Sequence, residues 1–313
     1  MSGISTSGVE DRLDQWQQGV PVVAFPVGVW LRYREDRGYE YAALLSYYGF
    51  FSLFPLLSVL VTVLGIALRD DDELLQRLLD SLFASIPVLG EALETQVDSL
   101  EGSGVALVVA LGFTLWAGLG VVRVAQDAFN TMWGISVTEW PSFFPKLLRA
   151  LGSLLIIATA FLATTVISTA TSFVFDLPGP AWVAGAVVAI AANMLALLAV
   201  YKVLTVSDVG WRDLVPGAVL GGMALWVLQL VGGLYVNSVI LGASAVYGTF
   251  AGVVGLLVWL SLLARVVLWG AEVNVVAQKR LWPRSFSGRN LTSADEKSFA
   301  EVGSRRIRRL ATD

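Results

Sequence analysis

Six apolar stretches, each long enough to cross a bilayer, constrain this chain more than any other feature: Tyr41–Leu68, Gly104–Met132, Leu147–Phe175, Ala181–Tyr201, Leu214–Leu241 and Ala245–Ala277. A helix needs about 20 residues to span the hydrocarbon core. Inside lipid the backbone N–H and C=O groups have no water to bond, so runs of this length read as helices. The fifth stretch carries no charge at all. Composition agrees, with 56% hydrophobic residues, 15% charged residues and a mean hydropathy of +0.71. Soluble domains hold roughly 25% charged residues. The expected fold is all-α and polytopic. One six-helix membrane domain (41–278) lies between an N-terminal cytoplasmic segment (1–40) and a basic cytoplasmic tail (279–313).

Turn signals separate the spans: Trp140-Pro141 before the third, Pro178-Gly179-Pro180 before the fourth, and Pro216 in the first turn of the fifth. The links Asp176–Pro180 and Gly242–Ser244 are short enough to make tight hairpins. Basic residues choose the orientation. Arg12, Arg32, Arg34 and Arg37 precede the first span, Lys146 and Arg149 precede the third, Lys202 and Arg212 precede the fifth, and Lys279, Arg280 and Arg284 follow the sixth. Only Arg69 and Arg77 fall on the other side. Both termini are therefore expected in the cytoplasm. A first apolar stretch that starts only after about forty residues, with no small-residue cleavage site, argues against a removed signal peptide.

The outer segment Arg69–Ser103 holds nine acidic and two basic residues. Leu74, Leu75, Leu78, Leu79, Leu82 and Phe83 recur at helical spacing, Pro87 interrupts, and Val88 to Leu100 resumes the pattern. This predicts an amphipathic helical cap between the first two spans. On the inner side Val20–Leu31 is apolar but too short to cross, which suits an interfacial helix in the membrane plane.

The chain has no Cys and no His. Disulfides, thiolate chemistry and the commonest general base and metal ligand are absent from its repertoire. Enzymatic activity, a cofactor and a metal site are accordingly not expected. Charges inside apolar spans do stand out, because each costs roughly 2.5–3.5 kcal/mol at helix centre on insertion scales. Arg265 and Glu272 are seven residues apart in the sixth span, and Arg123 and Asp127 are four apart in the second, so each pair shares a helix face. If the two helices are neighbours, Arg123 reaches Glu272 and Asp127 reaches Arg265. One reading is a polar site for an anion, with arginine forks holding phosphate or carboxylate. The other is a structural ion-pair cluster that fixes helix packing.

Ser46, Tyr47 and Tyr48, close to Pro55 in the first span, are candidates to line a cavity beside a proline kink, or simply to bond between helices. Asn130 and Asn274 suit helix capping, with cross-bundle bonding as the second reading. Gly217, Gly221 and Gly222, then Gly248, Gly252 and Gly255, make small-residue faces for close packing, which also allow homo-oligomerisation. The tail cluster Arg305-Arg306-Ile307-Arg308-Arg309 fits anionic lipid headgroups better than nucleic acid, so membrane lipids are the expected partner.

The first span contains Ser46-Tyr47-Tyr48 followed by Ser52-Leu53-Phe54-Pro55-Leu56-Leu57. The second ends Asp127-Ala128-Phe129-Asn130-Thr131-Met132-Trp133-Gly134, and the fifth begins Trp211-Arg212-Asp213-Leu214-Val215-Pro216-Gly217. The last begins Val246-Tyr247-Gly248-Thr249-Phe250 and ends Trp269-Gly270-Ala271-Glu272-Val273-Asn274. From about Arg32 to Gln278 the chain resembles the YihY/virulence factor BrkB family. The resemblance implies a six-helix protein of the cytoplasmic (inner) membrane with a poorly defined activity. The family long carried the label ribonuclease BN. Metal-dependent RNA hydrolysis needs a cluster of His or carboxylate ligands, and here His is absent and the carboxylates near the spans are scattered.

Two functions of different class follow. The leading one is transporter-like handling of an amphipathic anionic or lipid-type substrate. Its rival is a non-transporting, envelope-organising protein whose ion pairs only hold the bundle.

Overall fold

The computed structural model describes residues 6–67, 104–135, 180–205, 209–235 and 249–310, together with isolated positions 73, 76, 148 and 152. Among the described residues all regular structure is helical: α1 (Thr6–Gly19), α2 (Pro21–Glu35), α3 (Gly38–Ala67), α4 (Gly104–Trp133), α5 (Pro180–Leu204), α6 (Trp211–Tyr235), α7 (Thr249–Lys279) and α8 (Ser293–Leu310). Among the described residues three stretches are long and apolar enough to cross a membrane, Val183–Leu204, Trp211–Gly232 and Gly252–Lys279, and they carry the expected fourth, fifth and sixth spans. The expected first and second spans coincide with the 30-residue helices α3 and α4. The third span, the links on either side of it, the outer amphipathic cap and the Gly242–Ser244 link lie outside the described residues.

Helix ends follow from local chemistry. Pro21 opens α2 at its first turn, where a missing N–H is harmless. α4 ends in a Schellman turn: Gly134 adopts φ +75°, its N–H bonds the Thr131 carbonyl at 3.0 Å, and the Ile135 N–H bonds the Asn130 carbonyl at 2.9 Å. α7 closes in the same way, with the Leu281 N–H on the Val276 carbonyl at 3.1 Å. There the left-handed position is filled by Arg280 at φ +53°, not by glycine. α6 starts three residues earlier than expected, so Pro216 sits in its second turn and not its first.

The helices pack side by side. α3 lies against α4, α5 against α6, and α7 against both α6 and α3, with smaller contacts to α2 and α4. Glycines set these spacings. A Cβ on Gly217 would collide with the Gly270 carbonyl and the Asn274 amide, so α6 and α7 touch backbone to backbone. A Cβ on Gly222 would stand 2.9 Å from the Met194 backbone nitrogen, which brings α5 equally close. The packing role expected of Gly217, Gly221 and Gly222 is the one they fill. Gly120 leaves the notch that receives the Tyr48 ring between α3 and α4. The core runs through the C-terminal halves of α4, α5 and α7 and the N-terminal half of α6, around Phe129, Met132, Tyr201, Leu204, Leu214 and Leu268.

At the N-terminal end the sequence reading is extended. Besides the interfacial segment expected at Val20–Leu31, now α2, a separate helix α1 precedes it, and both are covered by the folded tail.

Candidate apolar cleft and buried charge network

Arg265 stands near the middle of α7, about 20 Å along the axis from Lys279 at 1.5 Å per residue. It is exposed, and its side chain lines a cleft of about 520 Å³. Three helices form the walls: Phe25, Pro26 and Val29 from α2, Leu220, Ala224 and Leu228 from α6, and Leu262, Val266 and Trp269 from α7. Apart from Arg265 the named walls are apolar. No ion pair joins Arg265 to another described residue. A cation at mid-helix, on the wall of an apolar slot, can pair with an anionic group while the slot accommodates an attached hydrocarbon chain.

Glu272, seven residues on, has the opposite environment. It is fully buried, beside α2, where its charge bears on both Arg32 and Tyr33. The four side chains expected to converge are thus divided. Arg123 and Arg265 are exposed, Asp127 is half-buried, and Glu272 lies in the core. Ser46 donates to the Ala43 carbonyl three residues back at 2.8 Å, a local bond within α3. Tyr47 is exposed and stacks edge-on with Tyr48 and tilted against Phe51. Position 55 is helical in α3; its side chain lies outside the described ones.

Asn274 proves to be an interhelical clamp and not a cap. It is fully buried, five residues before the end of α7, and its Oδ1 accepts from the Gly217 N–H at 2.6 Å. One turn back, Tyr201 of α5 donates to the Val267 carbonyl at 2.8 Å and fits into the notch left by Gly270. Asn274 was a candidate ligand group in the sequence; its geometry makes it the bolt between α6 and α7.

The strongest polar feature was hidden in the flanks. Arg32 is fully buried at the end of α2. Its guanidinium meets Asp36 at 2.8 Å, Glu301 at 3.0 Å and the Ser298 hydroxyl at 2.9 Å. Burial alone would lower its pKa, but the surrounding charges of Asp36, Glu272, Glu301 and Glu35 outweigh that and raise it. Arg284, also buried, bonds Glu35 at 2.6 Å and Asp295 at 2.9 Å, and the same opposition of burial and carboxylates holds its pKa above the ordinary value. The Tyr33 hydroxyl, buried beside this network, is pushed up to about 12 by its burial. In α1, Asp14 is buried: burial raises its pKa, but hydrogen bonds from the Ser285 and Ser287 hydroxyls, Gln17 and the Phe286 N–H win and lower it. The signal was present in the sequence. Asp295, Ser298 and Glu301 recur every three residues on one face of α8, and Arg32 and Asp36 are four apart. Among the described residues no three carboxylates gather in a way that could hold a metal ion.

A family profile described as Virulence factor BrkB matches residues 29–292. The chain is 28% identical over 285 residues to a UPF0761 membrane protein of Stenotrophomonas maltophilia, an alignment that covers 84% of this chain and 64% of the relative. It is 28% identical over 271 residues to one of Pseudomonas aeruginosa, covering 81% and 62%, and 28% identical over 256 residues to one of Chromohalobacter salexigens, covering 77% and 60%. The alignments thus span under two thirds of these relatives' length. No solved structure matches the fold. The profile covers the α6 and α7 walls of the cleft and Arg284 alike, and the chain is a membrane protein of the virulence factor BrkB family.

Proposed function

We propose that this protein sits in the cytoplasmic membrane with both termini inside and takes an anionic amphiphile, of phospholipid type, into the cleft between α2, α6 and α7, as a transporter-like protein and not a catalyst. The observation that carries the reading is Arg265: an exposed arginine at mid-helix on the wall of an otherwise apolar slot. A guanidinium with no ion pair among the described residues is costly at that depth, and an anionic headgroup relieves the cost while the chain fills the slot. The clustering of basic residues on the segments assigned to the inside supports the orientation.

The rival envelope-organising role gains from the buried network. The burial of Arg32, Glu272 and Arg284 supports a packing role for them, and the ligand-binding reading rests on Arg265.

The test is photo-crosslinking to phosphatidylglycerol and phosphatidylcholine analogues in nanodiscs, followed by lipid transfer in proteoliposomes. A charge-assisted hydrogen bond contributes about 1.5–3 kcal/mol. Arg265→Ala should therefore reduce capture of the anionic lipid by roughly tenfold or more, with a smaller effect on the zwitterionic one. Equal capture by a folded Arg265→Ala protein would overturn the reading.

A further inference from the structure

The tail does more than cap the bundle: it grips the helix that forms one wall of the cleft. Four positions of α2, spaced at about one turn, meet it. Phe25, a cleft-wall residue, packs edge-on against Trp282 with ring centroids 5.8 Å apart. At Gly28 the tail comes so close that a Cβ would stand 3.0 Å from the Leu281 carbonyl oxygen and 3.1 Å from the Trp282 Cβ. Arg32 is tied to Ser298 and Glu301, and Glu35 to Arg284 and Ser298. The tail is itself anchored on α1, where Gln17 donates to the Arg284 carbonyl at 2.6 Å and Asp14 accepts from Ser285, Ser287 and the Phe286 N–H. α2 packs on α7 on one side, and across the cleft stands α6.

We propose that the segment from Leu281 to Glu301 is a clamp that sets the position of α2, and through it the width of the cleft. The buried ion pairs make the clamp two-state. The guanidiniums of Arg32 and Arg284 are buried, and a buried cation is stable only when its partners are in place, so partial release is unfavourable and the clamp is either docked or off. With it docked, Phe25 and Val29 hold the cleft at its observed width. With it off, α2 keeps its contacts to α7, α3 and α1 but loses the grip of the tail, and the wall can swing outward. The meaning of this for transport rests on the lipid reading of the cleft; the mechanical coupling does not.

The chain contains no cysteine, so spin labels can be introduced at chosen pairs without background. Val22→Cys on α2 with Val227→Cys on α6, both exposed, reports cleft width. Leu13→Cys on α1 with Leu291→Cys in the tail, both exposed, reports clamp docking. Distance distributions of the full chain in nanodiscs are compared with and without Glu35→Gln, Ser298→Ala and Arg284→Ala. The expected result is that both distances lengthen and broaden together, in the order in which the variants loosen the tail. Release of the tail with an unchanged α2–α6 distance would overturn the clamp, as would a tail that stays docked in folded Arg284→Ala protein. Should Arg284→Ala fail to fold, Glu35→Gln and Ser298→Ala decide the matter on the same two distances. Coupled distances with unaltered phosphatidylglycerol capture would uphold the clamp and sink the lipid reading, which keeps the two failures apart.

Discussion

Gly217 and Asn274 show how much one contact between two spanning helices can demand. The Gly217 N–H follows Pro216, whose ring disturbs the helical ladder, and finds its acceptor in Asn274 across the interface. Removing that acceptor strands a buried donor, at about 1–3 kcal/mol. Asn274→Ala should lower the melting temperature accordingly, whereas Asn274→Asp, which keeps an acceptor oxygen, should recover part of the loss when its carboxyl is protonated. Gly217→Ala is the harsher change. Its Cβ meets the Gly270 carbonyl and not the end of a flexible side chain, so the backbones must separate, and a loss of about 3 kcal/mol or more is expected in thermal melts. Arg280 runs the other way. It occupies the left-handed region that glycine adopts freely, so Arg280→Gly should raise stability by roughly 0.5–1 kcal/mol, provided the exposed Arg280 side chain contributes little. Gly217 was legible as a close-packing position, but not the Asn274 acceptor it meets on another helix, nor the left-handed turn at Arg280.

At the scale of the element, α2 is the instructive case. Its sequence, Pro21 to Glu35, looks like a short interfacial helix ending in arginines that reach for lipid heads. In the fold Arg32 turns inward, because Ser298 and Glu301 of α8 and Asp36 of its own terminus offer it a complete set of acceptors. Arg32→Ala would leave Asp36 and Glu272 buried beside a missing cation, and a loss of about 3–5 kcal/mol is expected, read by chemical or thermal unfolding. The docking of α1 on the tail should depend on acid pH. The pKa of Asp14 is lower folded than unfolded, so its stabilisation is complete above the ordinary carboxylate range and is lost as pH falls through the native value. The Leu13–Leu291 label distance should stay constant from neutral pH down to about pH 5 and lengthen below about pH 4. Asp14→Asn should weaken docking at neutral pH and remove that residue's share of the acid response.

Over the whole molecule, α7 is the axis. It packs on α3 and α6, carries the cleft arginine outward and Glu272 inward, and leads straight into the tail that returns to α2. A chain ending at Arg280 should keep the circular-dichroism signal of its spans, because each span satisfies its own backbone in lipid. It should nevertheless melt at a lower temperature, because Arg32 and Glu35 lose their tail partners. A melting temperature equal to that of the full chain would mean that the buried network contributes nothing net, an outcome for which buried ion pairs have precedent.

Hydropathy and turn residues by themselves determined the helical class, the membrane setting and the approximate ends of α5, α6 and α7, since these are properties of consecutive residues and of a backbone that lipid cannot hydrate. Residue pattern also marked Arg265 and Glu272 as charges in need of explanation. Their separation came only with the tertiary structure, which turned Arg265 out to the cleft and Glu272 in toward Arg32. Arg284 and Glu35 stand 249 residues apart and the tail lies far from α1 in the chain. Their pairing follows from how α7 delivers the tail to the N-terminal helices, and no local period of the sequence encodes a contact of that range. Burial decides whether a charge binds a ligand or holds a fold, and burial belongs to the assembled molecule.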